Sequence, residues 1–161
     1  MPRLAALAQG ASLYQVGQKI TATALLNANF ALFNNWNSGQ PLVLISAKVQ
    51  ASAVMEVDLL TLEADPAMPA GNTPTNLFLG ARKAQATFEA QALASPASVN
   101  TLAVVEASNN NTVELCDPGC IFIPRNRGVL ITSATVAGDC VVTLLWAEMD
   151  AMFADALYEA E

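Results

Sequence analysis

The segment Cys120–Met149, CIFIPRNRGVLITSATVAGDCVVTLLWAEM, carries the clearest structural pattern in the chain. Apolar and β-branched runs alternate there with turn residues, which predicts three short strands. The predicted strands cover Ile121–Ile123, Val129–Ala134 and Cys140–Met149. Because the turns between them are short, the sequence predicts that the three strands form a β-meander.

The last of these strands is apolar on both of its faces. Side chains alternate along a strand, so Val142, Leu144 and Trp146 share one face. Val141 and Leu145 lie on the other face. A strand that is apolar on both sides must be covered on both sides, by a second sheet on one and by a loop or a neighbouring subunit on the other. The pattern therefore predicts a β-sandwich with something packed on its outside, and Val141 and Leu145 are candidates for an interface between copies of the chain.

The composition limits the functions that are open to this chain. Of its 161 residues 53% are hydrophobic and 13% are charged, against about a quarter charged in an average soluble protein. Much of the surface is therefore expected to contact protein. The net charge of −7 argues against nucleic-acid binding, and no apolar run approaches the length of a membrane span. The N-terminus lacks a signal-peptide pattern, and three cysteines form no even disulfide framework, which fits synthesis in a reducing cytosol.

The rest of the chain predicts further short strands separated by turns. Lys19–Leu26 and Phe30–Phe33 are rich in β-branched or aromatic residues, and the runs 42–49 and 54–62 alternate between apolar and polar residues. We expect the last two runs to be antiparallel neighbours. Eight to ten such strands indicate an all-β sandwich of two antiparallel sheets. The residues predicted to face its core in the runs 42–49 and 54–62 are Val43, Ile45, Ala47, Val49, Met55, Val57 and Leu59.

The two ends of the chain differ in character from the predicted sandwich, which covers residues 18–149. Residues 1–17 carry leucines among small residues and are interpreted as an arm, either loosely packed or docked on a partner. Residues 150–161 form an acidic tail in which Phe153 and Leu157 are four positions apart. That spacing predicts a short helix or a solvated tail. Phe153 and Leu157 are further candidates for the interface between copies.

The sequence shows no constellation of catalytic residues. It has no histidine, which excludes His-dependent triads, the usual zinc sites and the metal centre of cupin-type oxygenases. Cys116 and Cys120 flank an Asp-Pro-Gly turn and are interpreted as half-buried small hydrophobes, with a disulfide between them left open. Glu56 and Asp58 share a strand face and are interpreted as solvated acids rather than as catalytic groups or calcium ligands. We therefore expect no enzymatic activity and no cofactor.

Three stretches of turn and strand residues carry a resemblance to known proteins. They are 31–44 (ALFNNWNSGQPLVL), 72–80 (NTPTNLFLG) and 124–148, which ends in Trp-Ala-Glu. In these features the chain resembles a loose group of tailed-bacteriophage virion proteins, which are similar in their Asn and Ser-Gly turn, their Pro and Gly turn and a last strand finishing in Trp-x-Glu. The resemblance covers most of residues 18–149. The longer turn at 124–128 and the acidic tail depart from it.

The resemblance implies a jelly-roll virion component, namely a decoration or cement protein on the exterior of the phage capsid, made in the host cytoplasm. Its partners would be the major capsid protein and other copies of the chain, with a trimer favoured and a dimer as second choice. The alternative is a tail or receptor-binding component that recognises a host surface glycan. The residues expected to contact the capsid lie in the arm and in the loop 65–83, and are Arg3, Leu4, Leu7, Met68, Arg82 and Lys83.

Overall fold

The computed structural model describes residues 11–35, 41–77, 83–94, 100–108, 111–116 and 121–149. Within these ranges the chain forms eleven strands and no helix, which confirms the all-β class. The predicted C-terminal helix or tail lies outside the described residues. The strands are β1 (Ala11–Ala22), β2 (Asn27–Asn34), β3 (Leu42–Ala51), β4 (Met55–Leu62), β5 (Thr75–Asn76), β6 (Thr87–Leu93), β7 (Thr101–Ala107), β8 (Val113–Glu114), β9 (Ile121–Ile123), β10 (Arg127–Ser133) and β11 (Gly138–Met149).

The strands form two antiparallel sheets that pack face to face. Sheet A has the order β5-β1-β11-β3-β8, with β9 also paired to β3, and sheet B has the order β6-β2-β10-β4-β7. The chain therefore passes from one sheet to the other at every connection except those from β6 to β7 and from β8 to β9. This is the connectivity of a jelly roll. The predicted antiparallel β-sandwich is confirmed.

The last three strands do not form the predicted β-meander, although their positions agree with the prediction to within two residues. β9 pairs with β3 in sheet A, β10 lies between β2 and β4 in sheet B, and β11 returns to sheet A between β1 and β3. The predicted pairing of the runs 42–49 and 54–62 is also wrong, because β3 and β4 lie in different sheets. The turns 52–54 and 134–137 cross between layers, and side-chain alternation is the same whether a short turn stays in one sheet or changes sheets.

The core lies between the two sheets and is filled by one face of each long strand. The inward side chains of β11 are the predicted ones, since Val142, Leu144 and Trp146 are all buried. In β4 the predicted core residues Met55, Val57 and Leu59 are likewise buried. The facing strands β2 and β10 contribute Phe30, Leu32, Val129 and Ile131.

A β-bulge in β3 changes which of its residues face the core. The register with β11 shifts between Leu145 and Trp146, so Ile45 has no partner in the pairing. An extra residue displaces the alternation by one position, which is why the prediction that Val43 and Ile45 face the core is wrong. Beside the bulge, the carboxylate of Glu114 on β8 accepts the backbone N–H of Ala47 at 2.7 Å. The buried residues of β3 are Leu42, Leu44, Ala47, Val49 and Ala51.

β1 begins eight residues before the start of the predicted strand Lys19–Leu26 and ends four residues before the end of that strand. It pairs with β11 along its whole length, so residues 11–17, assigned to the arm from sequence, belong to sheet A. Polar and small residues on its outer face conceal the strand in the sequence. The strand ends because the Thr23 hydroxyl accepts the backbone N–H groups of Leu25 and Leu26, at 3.2 and 3.0 Å, and forms a turn.

Residues 63–76 form a strap that crosses the outer face of sheet B. Met68 inserts from the strap into a second apolar cluster, so this predicted capsid contact is buried instead. The strap is fixed to β6 by a hydrogen bond from the Gly71 N–H to the Phe88 carbonyl at 3.0 Å. A Cβ atom on Gly71 would lie 2.5 Å from the Phe88 ring, so the strap fits here only with glycine. The other members of the cluster are Ala31, Phe33, Leu60, Leu62 and Leu130.

The strap also ties sheet B to sheet A. Its last residues form β5, which pairs with Tyr14 and Gln15 of β1 at the edge of sheet A. Just before β5, the Asn72 side chain donates to the Gly17 carbonyl and its backbone N–H donates to the Gln18 side chain, both at 2.7 Å. One side of the sandwich is therefore closed by this crossing segment.

A buried carboxyl group holds the strap and makes its stability depend on pH. Glu89 is 5% exposed and accepts the backbone N–H of Met68 at 3.0 Å. Burial raises the pKa of Glu89 above its ordinary value of 4.5, and the nearby Asp65 carboxyl raises it further, against the lowering effect of the Met68 N–H. The folded state therefore binds a proton at Glu89 more tightly than the unfolded state does. This contribution to stability is present below pH 4.5 and is lost as the pH rises through the folded-state pKa.

We predict that Glu89→Gln makes the protein more stable relative to the wild type as the pH rises from about 4.5 to 7, because glutamine does not titrate. The measurement is the free energy of unfolding in urea at both pH values for both proteins. Asp58, whose pKa is also raised by burial and by Glu56, titrates in both and cancels in the comparison. A difference between the two proteins that stays constant with pH would contradict the role given to Glu89.

Candidate functional site

The structure describes only some of the residues that the sequence singled out. Lys83 is exposed, as a contact residue must be, and its backbone carbonyl accepts the Tyr14 hydroxyl at 3.2 Å. Val141 and Leu145 are half-buried on β11, on the face that points away from the core, as predicted. Their place in an interface stays a prediction. The predicted contact residues that lie outside the described part of the chain are Arg3, Leu4, Leu7, Arg82, Phe153 and Leu157.

The outer face of sheet A carries an apolar band, which we call the outer band and define as Val43, Val141, Leu145 and Ala147. Val43 on β3 and Leu13 on β1 both pair with Ala147 on β11, so the band continues across three neighbouring strands. None of its four members belongs to either of the buried clusters of the described chain, nor to the side chains packed against them. Ala147 and the neighbouring Leu13 are nevertheless buried, at 0% and 8% exposure. The accessible part of the outer band is therefore the half-buried trio Val43, Val141 and Leu145.

The far end of the same face is polar. The ammonium group of Lys19 lies 3.7 Å from the carboxylate of Asp139, and the hydroxyl of Thr21 donates to that carboxylate at 2.7 Å. Both Lys19 and Asp139 are largely solvated, so this ion pair adds little stability. The outer band ends at this ion pair, because burying charged groups in an apolar contact is unfavourable.

The strand that carries the outer band is anchored from inside by an aromatic pair. Trp146 and Tyr14 are fully buried, lie opposite each other on β11 and β1, and stack with their ring centroids 5.9 Å apart. The Tyr14 hydroxyl reaches across to the carbonyl of Lys83. This pair therefore fixes the end of β11 to β1 and to the segment that leads into β6.

Glu148 completes this anchor with a buried carboxylate. It is 2% exposed, and its oxygens accept the backbone N–H of Gln85 at 2.8 and 3.0 Å and that of Ala86 at 3.0 Å. The indole N–H of Trp146 also points to it, at 3.4 Å. Carboxylates that accept several backbone N–H groups make strong, directional contacts. The Trp-x-Glu ending of the last strand is thus a structural lock, and Ala147 between its two members lies on the opposite face of the strand, where it is also buried.

The side of the sandwich opposite the strap is open and contains a cavity of about 240 Å³, which we call the seam cavity. It lies where the edge strand β7 of sheet B meets β9 of sheet A. Arg127 is exposed there, donates to the carbonyl of Asn126 at 2.9 Å and forms no ion pair with any described residue. The cavity is lined by Thr61, Leu62, Glu63, Asn100, Leu102, Ile121, Phe122, Ile123, Pro124, Arg127, Gly128 and Val129.

The two cysteines among the described residues, Cys116 and Cys140, are buried. Burial raises the pKa of the Cys140 thiol to about 12, so it stays protonated and behaves as a small hydrophobe. Cys116 is also buried, and Cys120 lies outside the described residues. No three His, Cys, Asp or Glu side chains in the described ranges group together as metal ligands. In the same ranges no helix has the length and hydropathy needed to cross a bilayer.

Sequence reasoning missed the anchor and the seam cavity. The anchor has a sequence signal, because Glu148 falls on the inward face of β11 in the same alternation as Leu144 and Trp146. An acid at a core position must find hydrogen-bond donors, so its burial was predictable even though its partners were not. The position of the seam cavity depends on which strands lie at the sheet edges. The short turns in the sequence do not determine which sheet each strand joins, so these edges could not be predicted. Comparison of the chain with protein families, with curated proteins and with solved structures finds no match.

Proposed function

We propose that this chain is a structural virion protein that decorates the outside of a bacteriophage capsid and stabilises it through many weak contacts with the major capsid protein. The observation that carries the proposal is the outer band on sheet A. Its accessible members, Val43, Val141 and Leu145, are half-buried apolar side chains on a sheet face, a kind of surface that protein contacts use. The resemblance in the turns and in the Trp-x-Glu ending supplies the class of particle.

The anchor supports this role because it makes the contact surface rigid. Tyr14, Trp146 and Glu148 fix the strand from inside, so the outward side chains of β11 lose little freedom when a partner covers them. A decoration protein gains its overall affinity from repetition, since capsid subunits are already fixed in a lattice and each weak contact adds to the next. A small rigid surface suits that mode of binding.

The direct test is quantitative mass spectrometry of purified virions, which gives the number of copies of this chain per major capsid protein. A ratio near one, or a simple fraction of it, supports decoration of the head. A few copies per particle would place the chain in the tail and favour the receptor-binding alternative. Absence from the particle would overturn both roles.

We predict that Leu145→Lys weakens binding to undecorated heads by about tenfold, because a charge replaces an aliphatic side chain in the outer band. Binding is measured by co-sedimentation of the purified variant with heads. The matched control is Val104→Lys, since Val104 is 55% exposed on β7 of sheet B and lies outside both the band and the loop 65–83. Equal binding of the two variants would show that the outer band does not face the capsid.

A further inference from the structure

The turns at one end of the sandwich carry an apolar ridge. Leu25 is 84% exposed, Val54 61%, Leu26 38% and Val136 37%. They lie in the turns that follow β1, β3 and β10. β1 and β3 are both antiparallel to β11, so they end beside the start of β11, which is also where the turn after β10 leads. All three turns are therefore at the same end of the sandwich. Half of the large hydrophobic side chains that are exposed in the described chain are therefore concentrated in this ridge, which we define as Leu25, Leu26, Val54 and Val136.

The ridge is held in a fixed shape. The Thr23 hydroxyl accepts the N–H groups of Leu25 and Leu26, and the Thr23 N–H donates to the Leu26 carbonyl at 3.0 Å. The turn before Val54 is held against β11 by two hydrogen bonds between Ser52 and Asp139, at 2.9 and 2.7 Å. A preformed apolar projection binds at a lower entropy cost than a mobile loop does.

The charges near the ridge are acidic. Glu56 and Glu106 are exposed and face each other on β4 and β7 at this end of sheet B. Two lysines among the described residues lie near this end, both on sheet A. Lys19 is paired with Asp139, and Lys48 is exposed on β3, whereas Glu56 and Glu106 lie on sheet B. An apolar projection bordered by acids fits an apolar depression that offers a positive charge.

The seam cavity has those properties and lies at the opposite end of the same molecule. Leu102, Ile121 and Pro124 give it apolar walls, and it opens beside the exposed guanidinium of Arg127, which donates to the Asn126 carbonyl. Glu63 also lines it, so its charge is balanced rather than purely basic. An apolar cavity of about 150 Å³ accommodates a benzene molecule, so one of about 240 Å³ has room for a leucine side chain.

We infer that copies of this chain associate head to tail, with the ridge of one copy seated against the seam cavity of the next and Leu25 inside it. A contact between two different surfaces is heterologous, so it either closes into a ring or extends as an open chain. Ridge-to-ridge pairing would bring Glu56 and Glu106 of two copies together, and an anionic membrane would repel them in the same way. The inference does not depend on the proposed capsid role.

The experiment measures the mass of the full chain in solution by light scattering after size exclusion, up to about 1 mM because a small contact is expected to be weak. The ridge variant carries Leu25→Ser and Val54→Ser, and the cavity variant carries Leu102→Glu. All three positions are exposed, so each variant should unfold at the wild-type temperature. The control is Leu77→Ser, because Leu77 is an exposed leucine that belongs neither to the ridge nor to the seam cavity.

We expect the wild type and the control to exceed the monomer mass of 16.9 kDa, and each variant alone to be monomeric. An equal mixture of the two variants should form a dimer, because one intact ridge and one intact cavity remain. Arg127→Gln should weaken association, and Glu63→Gln should strengthen it.

Three results would overturn the inference. The first is a wild type that is monomeric at every concentration, and the second is a ridge or cavity variant with the wild-type mass. The third is a mixture that stays monomeric, which would show that the ridge and the cavity do not meet. A monomeric wild type that floats with phosphatidylcholine vesicles, but not after Leu25→Ser, would assign the ridge to a lipid surface instead.

Discussion

Replacing Trp146 with alanine is expected to lower the free energy of unfolding by about 3 to 5 kcal/mol, the range for removing a large aromatic side chain from a core. Trp146 is fully buried between the sheets and stacks on Tyr14. The change leaves a cavity, ends the stacking and removes the indole N–H that points to Glu148. Urea unfolding followed by circular dichroism measures the loss.

Trp146→Phe is the matched variant, because it keeps an aromatic ring beside Tyr14 but loses volume and the N–H group. A clearly smaller loss than that of Trp146→Ala is expected. If the alanine variant lost less than about 1 kcal/mol, the end of β11 would not be fixed by this side chain. So small a loss would contradict the packing described above, in which β11 lies between β1 and β3 and Trp146 is buried beneath it.

Glu148→Gln should cost about 2 to 3 kcal/mol although the two side chains have nearly the same shape. The carboxylate accepts backbone N–H groups from Gln85 and Ala86 with both oxygens. An amide has only one oxygen. Its NH₂ group would therefore face a backbone N–H, and neither of these two donors would have an acceptor. The loss is measured by urea unfolding at neutral pH.

Glu106→Gln serves as the control for this charge removal, because Glu106 is exposed on β7. Its effect should stay within about 0.5 kcal/mol. Hydrogen exchange adds a local readout, since the amide protons of Gln85 and Ala86 should exchange faster in Glu148→Gln. Unchanged exchange at these two residues would contradict the lock.

The sequence predicted the fold class because strand alternation survives in the long strands. Val142, Leu144 and Trp146 face the core as predicted, and the same alternation placed Val141 and Leu145 outside. The prediction that a strand apolar on both faces needs cover on both is met on the inner side by sheet B. The strap covers sheet B itself, a role that its prolines and its single glycine could not reveal.

The connectivity could not be predicted, because a turn of three or four residues joins strands in one sheet or in two with the same sequence pattern. Residues 52–54, 124–126 and 134–137 show this, and the errors in strand pairing come from these three turns. The prediction of which β3 residues face the core was partly wrong for another reason. At Ile45 a bulge shifts the register, and the Glu114 carboxylate that accepts the Ala47 N–H beside it lies far away in the sequence.

The pairing of β1 with β11 has a consequence for when the protein acquires its surface. The first and last described strands are neighbours in sheet A, with Ala11 opposite Met149. Every strand of sheet B is complete once Ser133 has been synthesised, but sheet A lacks the strand between β1 and β3 until the ribosome has passed residue 149. Because Val141 and Leu145 of the outer band lie on that strand, the band cannot form on a nascent chain before this last strand has been synthesised.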